Sequence, residues 1–212
     1  ACRWVYWRRF FLLSGDFHML QRLLFPLILL SGLLLAGCGL SPQQLSPEPK
    51  FEGAIVAVGQ GQPVQVRVID GRPSPVLGTR GGLYPETSTI SVAGSTVLPR
   101  LQSQVEAAVR LMGFTPTNGA MNAPQLSVTL SQLTYQSPKD EAYVTEANIS
   151  TVLSVDVHNG NRRYNGRYSA SMNQRSGMAP NEETNTELVS EVLSDALTKL
   201  VRDQAIGSAL LP

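Results

Sequence analysis

The residues with the most specific chemistry are Leu35–Cys38, a Leu-Ala-Gly-Cys tetrapeptide at the end of an apolar run. Only a thiol can be alkylated to a diacylglyceryl thioether, and a signal peptidase needs small side chains beside the bond that it cuts. Gln21 and Arg22 supply a short positive region, and Leu23 to Leu35 supply the apolar region of a secretory signal. This order is that of a bacterial lipoprotein signal, and it predicts that Cys38 carries lipid and becomes the new N-terminus.

Two other interpretations of the apolar run are possible. It could be a buried helix with Cys38 as an inert core thiol, but Pro26 and Gly32 are poor residues for a helix interior. It could also be an uncleaved membrane anchor, but a spanning helix needs about 20 apolar residues, and this run is shorter. The sequence therefore favours a cleaved signal over residues 19–37.

Residues 1–18 precede Met19, the first methionine of the chain. A complete signal that starts at Met19 predicts that residues 1–18 are a non-native upstream extension. The alternative is a long positive region that uses the arginines of this stretch. In either case, we expect these residues to be absent from the mature protein.

Removal of residues 1–37 changes the charge of the chain. The whole chain has 17 basic and 16 acidic residues, and the removed part holds four arginines and one aspartate, so the formal charge changes from +1 to −2. The basic balance of the precursor is therefore no argument for nucleic acid. In the mature chain Cys38 would be the one remaining cysteine and His158 the one remaining histidine, and these are too few for a disulfide or a zinc site. We expect neither a metal nor a cofactor.

The segment after the lipidated cysteine has a linker composition. Ser41 to Lys50 contains three prolines and no apolar periodicity, which is typical of an extended, semi-rigid chain. We therefore expect residues 38–50 to form a lipidated tether that lifts the domain off the membrane. Residues 51–212 have the length of a single domain.

Periodicity within the domain predicts an α+β fold. Val64, Val66 and Val68 alternate with Gln65 and Arg67, as in a half-buried strand. Further strands are predicted near 76–77 and over 89–92, 125–136 with a bulge, 143–157 and 162–174. One helix is predicted over 95–112, with Ser95 as its cap and Gly113 just after its end. Another helix is predicted from between 181 and 184 onward, where Thr184–Glu187 fits a capping box. These elements predict a two-layer sandwich, with an antiparallel or mixed sheet and two helices packed on one face.

The order of elements resembles that of the YajG family of bacterial outer-membrane lipoproteins. The likeness covers the lipobox at Cys38, the proline-rich stretch, Val66–Arg72, the helix that ends in Met112–Phe114, and the Asn159–Gly160 hairpin with Tyr164 beyond it. It implies an outer-membrane lipoprotein that faces the periplasm, with no established biochemical activity. The family supplies no catalytic residues.

Residues suited to catalysis are few and scattered. The candidates are His158, Lys139, Lys199, Asp140 with Glu141, and Glu182 with Glu183. His158 adjoins the Asn159–Gly160 turn, the lysines lie on polar stretches, and neighbouring carboxylates on a loop or at a helix start do not converge on a substrate. Gly78–Gly82 lacks the lysine of a phosphate loop, and we expect a mobile loop there.

The best candidate for an interaction site is cationic. Arg163 and Arg167 share the outer face of one predicted strand. The nearby cations are Arg162 and Arg175. The face could be merely solvated, with its arginines paired to Glu146 and Asp156 of the neighbouring strand, which would stabilise the fold little. Alternatively, it is a docking surface for an acidic partner, and a sheet edge would offer strand addition as a second binding mode.

The sequence favours a non-enzymatic outer-membrane lipoprotein that serves the cell envelope as an accessory or interaction module. Gly39 and Leu40 follow the cysteine, and neither is the aspartate that commonly signals retention in the inner membrane. The expected partners are the outer membrane, through the lipid on Cys38, and an envelope protein or polyanionic component. The alternatives are a periplasmic enzyme acting on peptidoglycan, which needs a polar cleft, and a carrier of a small amphipathic ligand, which needs an apolar cavity.

Overall fold

The computed structural model describes residues 40–81, 85–137 and 145–212. Several residues singled out in the sequence lie outside these ranges, and these are Cys38 with its signal, Gly82, Lys139, Asp140 and Glu141. The strands are β1 (Gln43–Gln44), β2 (Pro63–Asp70), β3 (Val76–Thr79), β4 (Thr89–Ser91), β5 (Thr115–Thr117), β6 (Gln125–Gln136), β7 (Thr145–Asn159) and β8 (Arg162–Ser176). The helices are α1 (Gly94–Leu111), α2 (Glu182–Val201) and α3 (Gln204–Leu210), and a 3₁₀ turn spans Pro85–Thr87.

The strands form one mixed sheet with β6 at its centre. On one side β6 pairs with β7 along its length, and β7 pairs with β8, both antiparallel. On the other side β6 pairs in parallel with β2 and, farther along, with β3. β5 lies outside β2, while β4 and β1 lie outside β3. The predicted bulge is confirmed by a register shift between Leu130 and Gln132.

The helices cover one face of this sheet. The inward residues of β7 are all buried, and they are Ala147, Ile149, Thr151, Leu153, Val155 and Val157. They share one apolar core with the buried stripes of α1 and α2. The predicted α+β sandwich is therefore confirmed. A third helix, α3, was not predicted, and it adds Ile206 and Leu210 to the same core.

The helix ends agree in part with the sequence analysis. α1 ends at Leu111, and Gly113 follows the cap residue Met112 with a φ of 89°, which suits a residue without a Cβ. The predicted cap at Ser95 is wrong, because Ala93 precedes the helix and supplies no side-chain bond. α2 begins one turn before the predicted Thr184 capping box, since the Asn181 side chain accepts a 2.8 Å hydrogen bond from the Thr184 amide.

Residues Gln43–Glu52, hereafter the docked segment, do not stand off the domain as a tether. β1 pairs in parallel with β4, and Leu45, at 1% exposure, belongs to the core. Pro47 and Pro49 are buried as well. The segment is extended, as its prolines require, but it lies on the domain because every second side chain is buried. The prediction of a separate tether is therefore wrong for these residues.

Hydroxyl groups of α2 hold the docked segment by its backbone. The amides of Glu48, Lys50 and Glu52 donate to the hydroxyls of Ser190, Ser194 and Thr198 at 2.9, 2.9 and 3.0 Å. These acceptors recur every four residues, so they form one row along the helix. Alternate amides of an extended chain are spaced to meet that row.

A buried polar network fixes the start of the docked segment. Asn185 is fully buried, and it joins the Tyr135 hydroxyl at 3.0 Å to the Gln43 side chain at 2.7 Å. The Arg80 guanidinium donates to the carbonyl of Pro180 at 2.9 Å. The glycine-rich stretch near Arg80 is therefore not a mobile loop over residues 78–81. Its first residue, Gly78, lies so close to the Tyr135 carbonyl that a Cβ would clash.

Candidate interaction surface

The face of the sheet away from the helices is polar. It carries the side chains of β6, β7 and β8 that alternate with the buried ones. The exposed residues of β8 on this face are Arg163, Asn165, Arg167, Ser169, Ser171, Asn173 and Arg175. Hydroxyls cross-link the neighbouring strands, since Ser131 bonds Ser154 and Thr134 bonds Ser150, both at 2.8 Å. The result is a face made largely of polar side chains.

Arg163 and Arg167 are exposed on this outer face, as the sequence analysis predicted. Among the described residues, no ion pair or side-chain hydrogen bond engages either guanidinium. The expected carboxylate partners are occupied otherwise, because Glu146 bonds Arg175 and Asp156 bonds Asn165. The guanidinium groups of Arg163 and Arg167 can therefore bind an acidic partner.

Arg67 of β2 joins the same end of the face. In the strand register, Arg67 lies opposite Ser127, Ser127 opposite Asp156, and Asp156 opposite Asn165. Asn165 lies between Arg163 and Arg167 on β8, so the row has the exposed Arg67 at one end and two further exposed arginines beside its other end. The alternation in β2 could have placed Arg67 outward. Its place beside β6 depends on a pairing between distant segments that local pattern does not specify.

The two other arginines of β8 have structural roles. Arg162 donates to the carbonyls of Leu211 and Pro212 at 3.1 and 3.0 Å. Arg175 bonds Glu146 at 3.1 Å. The hydrogen bonds that Glu146 accepts from Asn173 and Arg175 hold its pKa below the usual range. We therefore define the candidate interaction surface as Arg67, Arg163 and Arg167.

The candidate catalytic residues within the described ranges do not converge. His158 is exposed beside the hairpin, opposite Arg163 in the register. Glu182 and Glu183 are exposed in the first turn of α2, where they suit the helix dipole. Lys199 donates to a backbone carbonyl, that of Ser169, at 2.8 Å. Within these ranges, no three His, Cys, Asp or Glu side chains are grouped to hold a metal ion.

β8 also presents a free edge. Among the described residues it pairs with β7 alone, so its other side offers unpaired backbone groups over much of its 15 residues. Lys199 covers one of them, the Ser169 carbonyl. Charged residues on an edge strand discourage uncontrolled pairing, and the exposed arginines of β8 fit that role as well as partner binding.

On the inner side of β8, two tyrosines share one carboxylate. Tyr164 and Tyr168 both donate to Asp203 Oδ2 at 2.5 Å, and their hydroxyls lie 3.1 Å apart. Gly166, between them, leaves room for the Tyr168 ring, since a Cβ there would lie 2.6 Å from its hydroxyl. Asp203 also caps α3 through the Ala205 amide. The cluster therefore fastens α3 to the edge strand.

This geometry shifts the pKa values of all three side chains. Burial raises the pKa of Tyr168, and the bond to Asp203 raises that of Tyr164. Burial alone would raise the pKa of Asp203, but the hydrogen bonds from the tyrosines and Ala205 hold it below its ordinary value of 3.8. Because the pKa of Asp203 is lower in the folded chain, its carboxylate stabilises the fold at pH values above the ordinary pKa. This contribution is lost as the pH falls through the folded-state pKa of Asp203.

Tyr168→Phe is therefore expected to lower the free energy of unfolding by about 1–2 kcal/mol at neutral pH, because one hydrogen bond to a carboxylate is lost. The difference between parent and variant should shrink as the pH falls below 3.8, where Asp203 takes up its proton. Urea unfolding at several pH values measures both effects. Ser171→Ala, on the outer face of the same strand, is the control. A difference that does not change with pH would contradict the role of the carboxylate.

A small cleft lies beside this cluster. Its lining includes Ile55, Met112, Asp203 and Gly207, and its volume is about 20 Å³. That is room for about one water molecule, whereas pockets for small ligands measure roughly 300–1,000 Å³. This cleft does not fit the cavity that a carrier of an amphipathic ligand needs.

The fold and surface define a class, an α+β domain with helices on one face of a mixed sheet and an exposed, arginine-bearing opposite face. The particular family comes from sequence: a family model described as uncharacterized lipoprotein matches residues 49–210. The chain belongs to this family of lipoproteins. Within the described ranges, no helix combines the length and apolarity needed to cross a bilayer.

Solved structures give weaker likenesses. The protein XCC0632 from Xanthomonas campestris, assigned to family DUF330, is 12% identical with a TM-score of 0.49, over 79% of this chain and 96% of that one. A minor lipoprotein from Acinetobacter baumannii is also 12% identical, with a TM-score of 0.39, over 69% of this chain and 93% of that one. No protein with a curated description matches the sequence.

Proposed function

We propose that this protein is a YajG-type outer-membrane lipoprotein, anchored through lipid on Cys38, whose domain faces the periplasm and acts as a non-enzymatic interaction module. Membership in a lipoprotein family supports the anchor. The Leu-Ala-Gly-Cys tetrapeptide supplies the cysteine, and Gly39 and Leu40 after it favour delivery to the outer membrane.

The observation that carries the interaction role is the candidate interaction surface. Three arginines are exposed at one end of a polar face, and the two on β8 have no acidic partner within the described residues. Arginine presents a planar fork that binds carboxylates and phosphates in a bidentate manner. Arginine is also enriched among the residues that contribute most to protein interfaces. An acidic envelope protein or a polyanionic component fits this surface.

The two alternatives receive less support. A peptidoglycan enzyme needs catalytic groups that converge in a cleft, and the candidates His158, Glu182 and Glu183 lie apart on exposed positions. The carrier needs a large apolar cavity, whereas the buried side chains of the described residues form one apolar cluster between sheet and helices.

Separation of cell membranes by density tests the anchor and its destination. We expect the full chain to sediment with the outer membrane. Cys38→Ser should leave the membrane fraction or remain unprocessed, because a serine hydroxyl cannot form the thioether that attaches the lipid. Protease added to intact cells and to cells with a permeabilised outer membrane tests the side, and cleavage is expected in the second case alone. Recovery with the inner membrane would contradict the proposal.

A further inference from the structure

The docked segment begins very close to the proposed anchor. Cys38 and Gln43 are five residues apart, and an extended chain of that length spans at most about 18 Å. From Gln43 onward, the chain is held to the domain by the buried side chain of Leu45 and by the Asn185 network. Little slack therefore lies between the lipid and the folded domain.

The docked segment begins at one end of the domain, and the position of that end in the fold is known. The Gln43 side chain lies 3.4 Å from the Pro180 carbonyl, in the stretch between the last residue of β8 and the start of α2. Met178, in the same stretch, is 82% exposed. β8 is 15 residues long, and at about 3.3 Å per residue it separates this end from the β7–β8 hairpin by roughly 45 Å.

We infer that the docked segment orients the domain on its membrane: it holds the Met178 end against the lipid headgroups and directs the β7–β8 hairpin away from them. The inference rests on the proposed lipidation of Cys38. A short anchor attached at one end of an elongated domain limits how that domain can tilt. Met178 provides an exposed, flexible apolar side chain at this end of the domain.

The orientation also narrows the choice of partner. Arg163 lies one residue beyond the hairpin end of β8, and Arg167 lies four residues farther along. Both are far nearer to the hairpin than to Met178, so the candidate interaction surface lies away from the anchoring bilayer. Its partner is then an acidic protein or polymer at that depth of the envelope. The anionic headgroups of the anchoring membrane would lie at the other end of the domain.

Single fluorescent labels test the orientation on the lipidated chain in vesicles. Met178→Cys places a thiol at the held end, and Asn161→Cys places one in the hairpin turn. Each label is specific, because the sulfur of lipidated Cys38 is a thioether and the mature chain has no other cysteine. With nitroxide-headgroup lipid in the vesicles, the label at 178 should lose most of its emission and the label at 161 should keep it. Equal quenching at both positions would overturn the inference.

Two variants separate this inference from the proposal on which it rests. A Gly/Ser linker of about 20 residues inserted after Leu40 leaves the docked segment intact but adds a span of roughly 25 Å, and the contrast between the labels should disappear. A contrast that survives the linker would show that the short anchor is not its cause. If Cys38 carries no lipid, the chain will not bind vesicles at all. That result refutes the anchor, whereas equal quenching of bound protein refutes the orientation alone.

Discussion

A chain that begins at Phe51 is expected to be less stable than one that begins at Leu40, by about 2.5–6 kcal/mol. Removal of Leu45 exposes core that its side chain covers, which costs about 1.5–3 kcal/mol. Removal of Gln43 also leaves the buried Asn185 without one of its partners, at about 1–3 kcal/mol. The loss is a large part of a domain's usual stability of about 5–15 kcal/mol.

Urea midpoints of the two chains measure this difference. Both lack Cys38, so the comparison isolates the docked segment from the lipid. Leu45→Ala in the longer chain removes the Leu45 side chain alone, and it should reproduce part of the loss of stability. Equal midpoints for chains that begin at Leu40 and at Phe51 would show that residues 40–50 are a tether after all.

Leu193→Asp is expected to abolish or nearly abolish cooperative unfolding. Leu193 is 0% exposed in the core between α2 and the sheet, and an unpaired buried charge costs at least several kcal/mol. Glu191→Ala and Lys199→Ala change exposed side chains on the other face of α2, and each should alter stability by less than about 0.5 kcal/mol. For Lys199, the bond to the Ser169 carbonyl is exposed, so water can replace it.

Urea unfolding, with circular dichroism of the helices as the signal, compares the three variants. A Leu193→Asp protein as stable as its parent would mean that the apolar stripe of α2 does not pack on the sheet. That stripe would then be free to bind a partner. The buried apolar cluster between sheet and helices would no longer count against a ligand carrier.

Local pattern was sufficient to predict most of the sheet and both long helices. Strict alternation over 125–136, with a change of phase, predicted both β6 and its bulge, because one extra residue moves the apolar side chains out of step. Gly113 and the Asn159–Gly160 turn were likewise predicted from residues whose conformational preferences are strong.

The docked segment could not be predicted in the same way. Its prolines and polar residues resemble those of a linker, and Leu45 is a single apolar side chain without periodicity. What holds it are partners 142 to 146 residues away along the chain, in α2. Contacts at that separation depend on tertiary structure. In the sequence, Ser190, Ser194 and Thr198 cannot be told apart from other polar surface residues of a helix.

The candidate interaction surface was predicted in part. Alternation placed Arg163 and Arg167 on one face of β8, and the structure shows them there. The sequence did not specify which carboxylate pairs with which arginine, because that depends on the strand register. In the structure, Glu146 bonds Arg175 and Asp156 bonds Asn165. The Tyr164, Tyr168 and Asp203 cluster was missed because Asp203 follows α2 and reaches β8 only in the folded chain.

Crosslinking in living cells tests the interaction role most directly. A photoreactive amino acid at Ser169, at the middle of β8 and two residues from Arg167, should form an adduct with an acidic envelope protein or polyanionic component when the full lipidated chain is irradiated. The adduct should be lost in the Arg163→Glu, Arg167→Glu double variant and retained in Ser171→Ala. An adduct that survives the charge reversal, or its absence from the parent, would contradict a cationic interaction surface.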